Sequence, residues 1–185
     1  MGHIKSCIHG MDADDTSSNY SPSKKHFNSA YELATEIGVG SFATVRKCYR
    51  RYDKEAFAVK IIDVRRSTKR ELKKLHDEIE ILHKLDHPNI IKLVDVFYEA
   101  ESVFLVLELC KPYDLFDYLC AAPGNRLNET IAAQIMFDAT NALQYLHENN
   151  VIHRDIKPEN ILFDYHGNLK LTDFGLAYHA ETESE

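Results

Sequence analysis

The spacing of apolar residues changes part-way along this chain, and that change confines it to folds with two differently built halves. In Ala56–Asp63, Phe57, Val59 and Ile61 alternate with Ala58 and Lys60, the period-two pattern of a strand with one buried face. Tyr31–Glu36, Thr44–Arg51, Ile90–Tyr98 and Val103–Leu109 also read as strands, the first two separated by a glycine turn, Gly38-Val39-Gly40. Leu72, Leu75, Ile79 and Leu82 fall three and four residues apart, a helical stripe that ends before His87-Pro88. Beyond Pro112 the helical spacing takes over. Asp114–Cys120 reads as a short helix. Asn128 is the N-cap of a long one, with Ile131, Ile135, Ala139, Leu143 and Leu146 on one face. Two short apolar runs, Ile161–Phe163 and Leu169–Leu171, read as a hairpin turning at His166-Gly167. A small sheet with one helix therefore precedes a mainly helical half.

Residues 1–28 lack this periodicity and are rich in Ser, Asp, Asn and His, which reads as a flexible tail ahead of one domain over 29–185. A chain of 185 residues has room for one domain and a tail. Twenty-two Lys and Arg against 29 Asp and Glu give a net charge of −7, which argues against non-specific binding to nucleic acid. Cys7, Cys48, Cys110 and Cys120 form no C-x-x-C pair and no disulfide framework, so a reduced, cytoplasmic chain is expected. The most apolar run, Val103–Leu109, is too short to cross a bilayer. The start, Met1-Gly2-His3-Ile4-Lys5-Ser6, fits the pattern for N-myristoylation, and Cys7 would take a second, palmitoyl chain. Membrane attachment through Gly2 and Cys7 is the expectation that follows.

The chemistry is concentrated in His153-Arg154-Asp155-Ile156-Lys157-Pro158-Glu159-Asn160 and in Asp173-Phe174-Gly175, whose aspartate lies 18 residues after Asp155. Upstream stand the glycine-rich Gly38-Val39-Gly40-Ser41-Phe42-Ala43-Thr44-Val45 and the strand triplet Ala58-Val59-Lys60. In this order the motifs resemble those of the eukaryotic protein kinases. The resemblance runs from about Tyr31 to Ala177 and implies an α+β, bilobal protein-kinase-like fold. Its small N-lobe, an antiparallel sheet plus one helix, would be complete. Its mainly helical C-lobe would be incomplete, because no A-P-E motif follows Gly175.

What the resemblance implies for the site is specific. ATP and Mg²⁺ are the expected cofactors, and a protein Ser or Thr hydroxyl the acceptor. Ile37, Gly38, Val39, Gly40, Ser41, Phe42 and Val45 would cover the nucleotide, with the family's third glycine replaced by Ala43. Ala58, Leu107, Glu108, Cys110 and Leu162 would surround adenine, Leu107 as gatekeeper and Glu108-Leu109-Cys110 as hinge. Lys60 would hold the α- and β-phosphates and pair with Glu78. Asp155 would orient the acceptor hydroxyl and take its proton, and Lys157 would stabilise the transferring phosphate. Asp173 and Asn160 supply the hard oxygen donors that Mg²⁺ prefers. Phe174, His153, Leu93 and Leu82 match an apolar stack behind the metal triplet. Lys157-Pro158-Glu159-Asn160 resembles the serine/threonine form of the loop.

Asp114 and Glu159 match positions for ribose contact or for a basic residue upstream of the acceptor. Arg154 would bind a phosphorylated loop residue, with Thr182 and Ser184 the candidates by position. Leu107–Cys110, Asp114–Asp117 and Tyr145–Asn149 resemble calcium/calmodulin-dependent, checkpoint and polo-type kinases. Three readings remain open at this level: a catalytic kinase, a non-catalytic nucleotide-binding regulator, and an incomplete gene product that does not fold alone.

Overall fold

The computed structural model describes residues 26–40 and 43–180. They divide into two compact units. One holds the chain up to Leu72 together with Val94–Leu107; the other holds Lys73–Leu93 together with the chain from Glu108 onward.

In the first unit, strands β1 (Tyr31–Val39), β2 (Ala43–Arg50), β3 (Ala56–Asp63), β4 (Leu93–Tyr98) and β5 (Ser102–Glu108) form one sheet in the order β1-β2-β3-β5-β4. The alternation read in β3 sorts its two faces. Phe57 and Val59 join Tyr31, Cys48, Phe97 and Val106 in a core against which Ile61, Val94 and Phe104 pack. Ala58 and Lys60 point to the other face. Strand β1 runs further than the sequence suggests. β1 continues through Gly38 and Val39, and Gly40 N–H bonds Ala43 O at 2.7 Å to close the hairpin.

The tail boundary also moves. Phe27 and Asn28, assigned to the tail by composition, form the helical turn α1 (Phe27–Ala30). Phe27 is fully buried, stacked on Tyr31 and Phe104 with ring centroids at 5.5 and 4.7 Å and edge-on to Phe97 at 5.6 Å. Its N–H donates to Glu99 Oε1 at 3.0 Å. Fixed packing, rather than periodicity, sets where this domain begins.

Helix α2 (Lys69–Lys84) starts in the first unit and continues into the second, burying Glu78, Ile79, Ile81 and Leu82. Thr68 and Glu71 open it: Thr68 N–H and Oγ1 donate to Glu71 Oε2 at 2.7 and 2.8 Å. In the second unit Asp114 caps α3 (Leu115–Ala121) by accepting Asp117 N–H at 2.8 Å. Asn128 caps α4 (Glu129–Glu148) by accepting Ile131 N–H at 2.9 Å. The expected hairpin forms as β7 (Ile161–Phe163) and β8 (Leu169–Leu171), with Gly167 at φ 93° in its turn. β6 (Val151–Ile152) pairs with β9 (Tyr178–His179), a contact absent from the sequence reading.

Two expectations are corrected here. Ile90 and Ile91 do not extend β4. Ile91 N–H bonds Leu171 O at 2.9 Å and Leu171 N–H bonds Asn89 O at 2.8 Å, so this segment lines the free edge of β8. On α4 the buried line is Ile135, Ala142 and Leu146, one position off the expected stripe at its centre. Ile131 is exposed, as are Met136 and Phe137, each 61% accessible.

Candidate active site

The sequence-predicted residues fall into two groups, one on each unit. On the first, the strand register aligns Gly38 with Val45 and Val45 with Lys60. Directly paired residues in a sheet share a face, so these three line up across β1, β2 and β3, with Ala58 beside Lys60. Phe104 and Val106 pack on the core side, so Leu107 belongs to the same outer face as Ala58. A methyl group added to Gly38 would sit 3.9 Å from Val45 Cβ, and one added to Gly40 would sit 3.5 Å from Ala43 O. Both are ordinary contacts, so packing within the protein does not demand glycine at either place. Ile37 and Val39 are exposed. Ser41 and Phe42 lie outside the described residues, as do Gly2, Cys7, Thr182 and Ser184.

On the second unit the octapeptide folds around one carboxylate. Asp155 Oδ2 accepts Lys157 Nζ and Asn160 Nδ2, each at 2.8 Å, and Asn160 Nδ2 also donates to Asp155 O at 2.9 Å. These donors hold the Asp155 carboxyl below its ordinary range, the Lys157 bond first and the Asn160 bond second. The same bond raises the Lys157 ammonium above its usual value. Asn160 is itself buried, and its backbone reaches Thr172, the residue before Asp173. Asn160 O accepts Thr172 N–H at 2.9 Å and Thr172 Oγ1 at 3.1 Å.

His153 braces the loop from beneath. Its Nδ1 accepts Asp155 N–H at 3.3 Å and its Nε2 meets Thr172 O at 3.0 Å, which assigns the proton to Nε2. Burial lowers its pKa, so the ring stays neutral. Phe174 packs edge-on to this ring at 4.8 Å, and both are almost wholly buried. Leu82 is buried too, whereas Leu93 is only half-buried.

The backbone marks the same place. Arg154 and Asp173 take φ values of 66° and 59°, conformations that cost a non-glycine residue about 1 kcal/mol or more unless the surroundings hold them. Arg154 is held by its Nε donating to Leu176 O at 2.6 Å and by its guanidinium lying 5.3 Å over the Tyr178 ring. Asp173 is exposed, and its Oδ1 accepts Gly175 N–H at 3.4 Å. A methyl group on Gly175 would stand 3.3 Å from Asp173 Oδ1 and 3.5 Å from Glu78 Oε2. Glu78, buried on α2, therefore reaches the Asp173–Gly175 triplet.

The segment leaving β5 is stapled to the β7–β8 hairpin. Glu108 Oε2 pairs with Lys170 Nζ at 2.8 Å and Glu108 Oε1 accepts Lys92 N–H at 2.8 Å. Lys111 N–H bonds Phe163 O at 2.8 Å, and Asp114 bridges to Leu162. Sequence reasoning missed Lys170. The available signal was a lysine set between Leu169 and Leu171 in a strand with both neighbours buried. Cys110 is enclosed here, and burial, with Glu108 adding to it, pushes its thiol up to about 12. It is not a reactive thiolate. Tyr113, standing where the family usually has glycine, packs against Tyr118 and Phe163. Asp114 spends one carboxylate oxygen on its helix cap, while Glu159 is exposed.

Asp173 and Asn160 provide hard oxygen donors, which fit Mg²⁺ and not a soft metal. Both amide protons of Asn160 go to Asp155, which leaves its Oδ1 as the atom for a cation. Among the described residues no three His, Cys, Asp or Glu side chains cluster as a protein-only cage.

The chain is 42% identical over 151 residues to the mouse (Mus musculus) serine/threonine-protein kinase DCLK2, covering 80% of this chain and 20% of that protein. It is 38% identical over 163 residues to the probable serine/threonine-protein kinase fhkD of Dictyostelium discoideum, covering 84% and 22%. It is 36% identical over 168 residues to the serine/threonine protein kinase OSK3 of rice (Oryza sativa), covering 90% and 32%. The chain thus spans about a fifth to a third of the length of these relatives. The protein kinase domain profile matches residues 31–185, more than four-fifths of the chain, which therefore belongs to the protein kinase family.

Proposed function

We propose that this chain is the nucleotide-binding and catalytic part of a serine/threonine protein kinase, moving the γ-phosphoryl group of ATP to a protein hydroxyl. The observation that carries this reading is the Asp155–Lys157–Asn160 cluster, bonded at 2.8 Å and tied through Thr172 to Asp173. Phosphoryl transfer needs positioning and charge neutralisation more than covalent chemistry. Asp155 suits that role. A carboxylate held below its usual pKa stays ionised, so it orients the acceptor hydroxyl and takes the proton at Oδ only as the oxygen–phosphorus bond forms. Lys157, charged and fixed on the same carboxylate, would face the transferring group. Asp173 and Asn160 Oδ1 would hold Mg²⁺, which supplies charge neutralisation at the phosphates. Lys60 would bind the α- and β-phosphates, and Glu78 would fix it. Gly38 and Gly40, which packing does not require, leave backbone open to phosphate.

The test is a Mg²⁺-ATP phosphotransfer assay on the whole chain, run beside a thermal shift with ATP. Transfer to a Ser/Thr peptide supports the kinase reading. ATP stabilisation without transfer supports a nucleotide-binding regulator instead. Neither signal overturns both.

Two finer proposals rest on named residues. Exposed Glu159 would pair with a basic residue upstream of the acceptor. A peptide array with an active form is expected to prefer Arg or Lys there, and Glu159→Ala to reduce that preference about tenfold, the scale of one charge-assisted hydrogen bond. An array with no basic preference removes Glu159 from substrate selection. Acylation at Gly2, with palmitate on Cys7, would hold a cytoplasmic protein at a membrane, since one myristoyl chain alone binds only marginally. Intact-mass measurement after eukaryotic expression should show the myristoyl mass, lost in Gly2→Ala. Its absence from the wild-type chain ends that proposal.

A further inference from the structure

The first two turns of α2 and the Arg65-Arg66 pair before them carry six Lys and Arg within ten residues, and the catalytic reading does not use them. Arg65, Arg66, Lys69, Arg70, Lys73 and Lys74 are all exposed, against two carboxylates, Asp63 and Glu71, in the same stretch of a chain whose net charge is −7. Glu71 is committed to the helix cap with Thr68, and Arg65 pairs with Asp63. At 3.6 residues per turn, Lys69, Arg70, Lys73 and Lys74 spread over an arc of about 140°. Leu72, Leu75 and Ile79 occupy the opposite side. Later turns of the arc carry Asp77 and Glu80, so the cationic surface is confined to the helix start.

The second observation is where the chain leading into this helix is anchored, in the first unit, which holds Arg65, Arg66, Lys69 and Arg70. The β4–β5 turn holds two things at once. Glu99 accepts Phe27 N–H at 3.0 Å, at the point where the N-terminal chain enters the fold. Two residues on, Glu101 O accepts Val64 N–H at 3.0 Å, and Glu101 Oε2 lies 3.9 Å from Arg65 Nη1, at the start of the cationic stretch. Phe27 and Val64-Arg65, the beginning of the basic stretch, are therefore pinned to one turn.

The geometry points to an anionic membrane surface as the occupant of this face, with Arg66, Lys69, Arg70, Lys73 and Lys74 contacting acidic lipid headgroups. The cations are spread broadly, and the apolar side chains of the same turns face inward. Such a face suits a flat, diffuse sheet of negative charge better than a peptide that must fill a pocket. A cluster of this size is what converts a marginal single lipid anchor into stable attachment.

The experiment is co-sedimentation of the full chain, produced without acylation, with vesicles of phosphatidylcholine alone and of phosphatidylcholine with phosphatidylserine. Wild type is expected to partition at least about tenfold more strongly onto the phosphatidylserine vesicles, and to lose that preference at high salt. Lys69→Gln/Arg70→Gln/Lys73→Gln/Lys74→Gln is expected to fall to the phosphatidylcholine level. Lys54→Gln/Lys84→Gln/Lys92→Gln/Arg126→Gln removes the same charge elsewhere and is expected to keep the preference. Equal partition of wild type onto both vesicles overturns the proposal, as does an equal loss in the two quadruple variants. Binding to polyglutamate without any vesicle preference assigns the face to an acidic protein partner and also overturns it. None of these readouts needs nucleotide or phosphotransfer, so failure here and failure of the kinase reading are separate results.

Discussion

Asp173→Ala is expected to remove Mg²⁺-dependent nucleotide stabilisation and to cut phosphotransfer about a hundredfold or more in an active form, the scale for losing one electrostatic group aimed at developing charge. The fold should survive. Asp173 is exposed, its single described bond is the 3.4 Å contact from Gly175 N–H, and removing it leaves no buried group without a partner. One complication is local. Asp173 holds φ at 59°, which aspartate tolerates better than alanine, so the alanine variant alone mixes a backbone effect with the loss of charge. Asp173→Asn keeps the volume and the backbone preference and removes the carboxylate. Both variants should therefore lose the Mg²⁺-dependent shift, with melting temperatures near wild type in the absence of ligand. If Asp173→Asn keeps the shift, the metal is not held by Asp173 and the assignment falls. Lys60→Met, on the other unit, should instead lose ATP stabilisation whether or not Mg²⁺ is present, because it would remove the phosphate contact proposed for Lys60.

How much of this was legible in the sequence depends on whether the deciding contact was local. The β3 alternation sorted Phe57 and Val59 from Ala58 and Lys60 correctly, because strand geometry alone fixes alternate faces. Asn128 and Asp114 were readable as caps, since a side chain and the backbone three residues on settle that contact. Ile90 and Ile91 were misread because they continue an apolar run into β4. Their actual partner, Leu171, lies about eighty residues away and leaves no trace in local spacing. The β6–β9 pair failed for the same reason, each strand being two residues long. The octapeptide named Asp155, Lys157 and Asn160 through resemblance. It did not show that Asn160 donates twice to Asp155, nor that Arg154 and Asp173 sit at positive φ. Those follow from packing around His153 and Phe174, and no propensity predicts them.

Phe27 shows the same limit at the domain edge, and it carries the second large expectation: Phe27→Ala should lower the stability of the chain by about 3–5 kcal/mol. Composition hides this residue. It stands between His26, Asn28 and Ser29, a lone aromatic without period, so the polar neighbours dominate any window. In the fold it is fully buried among Tyr31, Phe97 and Phe104, with two stacked rings and one edge-on. Truncation to alanine removes most of that apolar contact and opens a cavity between rings too rigid to collapse into it. The backbone cannot release the strain by letting go. Phe27 N–H is bonded to Glu99, Arg51 Nε holds Asn28 O at 2.8 Å, and Arg51 N–H holds Ala30 O at 2.8 Å. Urea unfolding of Phe27→Ala beside Asn28→Ala measures the effect. The exposed Asn28 side chain should cost under about 0.5 kcal/mol, as surface substitutions usually do. Phe27→Leu should recover part of the loss, since a branched aliphatic side chain refills some of the volume without restoring the ring stack. A Phe27→Ala variant within about 1 kcal/mol of wild type would show that the domain begins at Tyr31 and that the helical turn before it is an ornament of the fold.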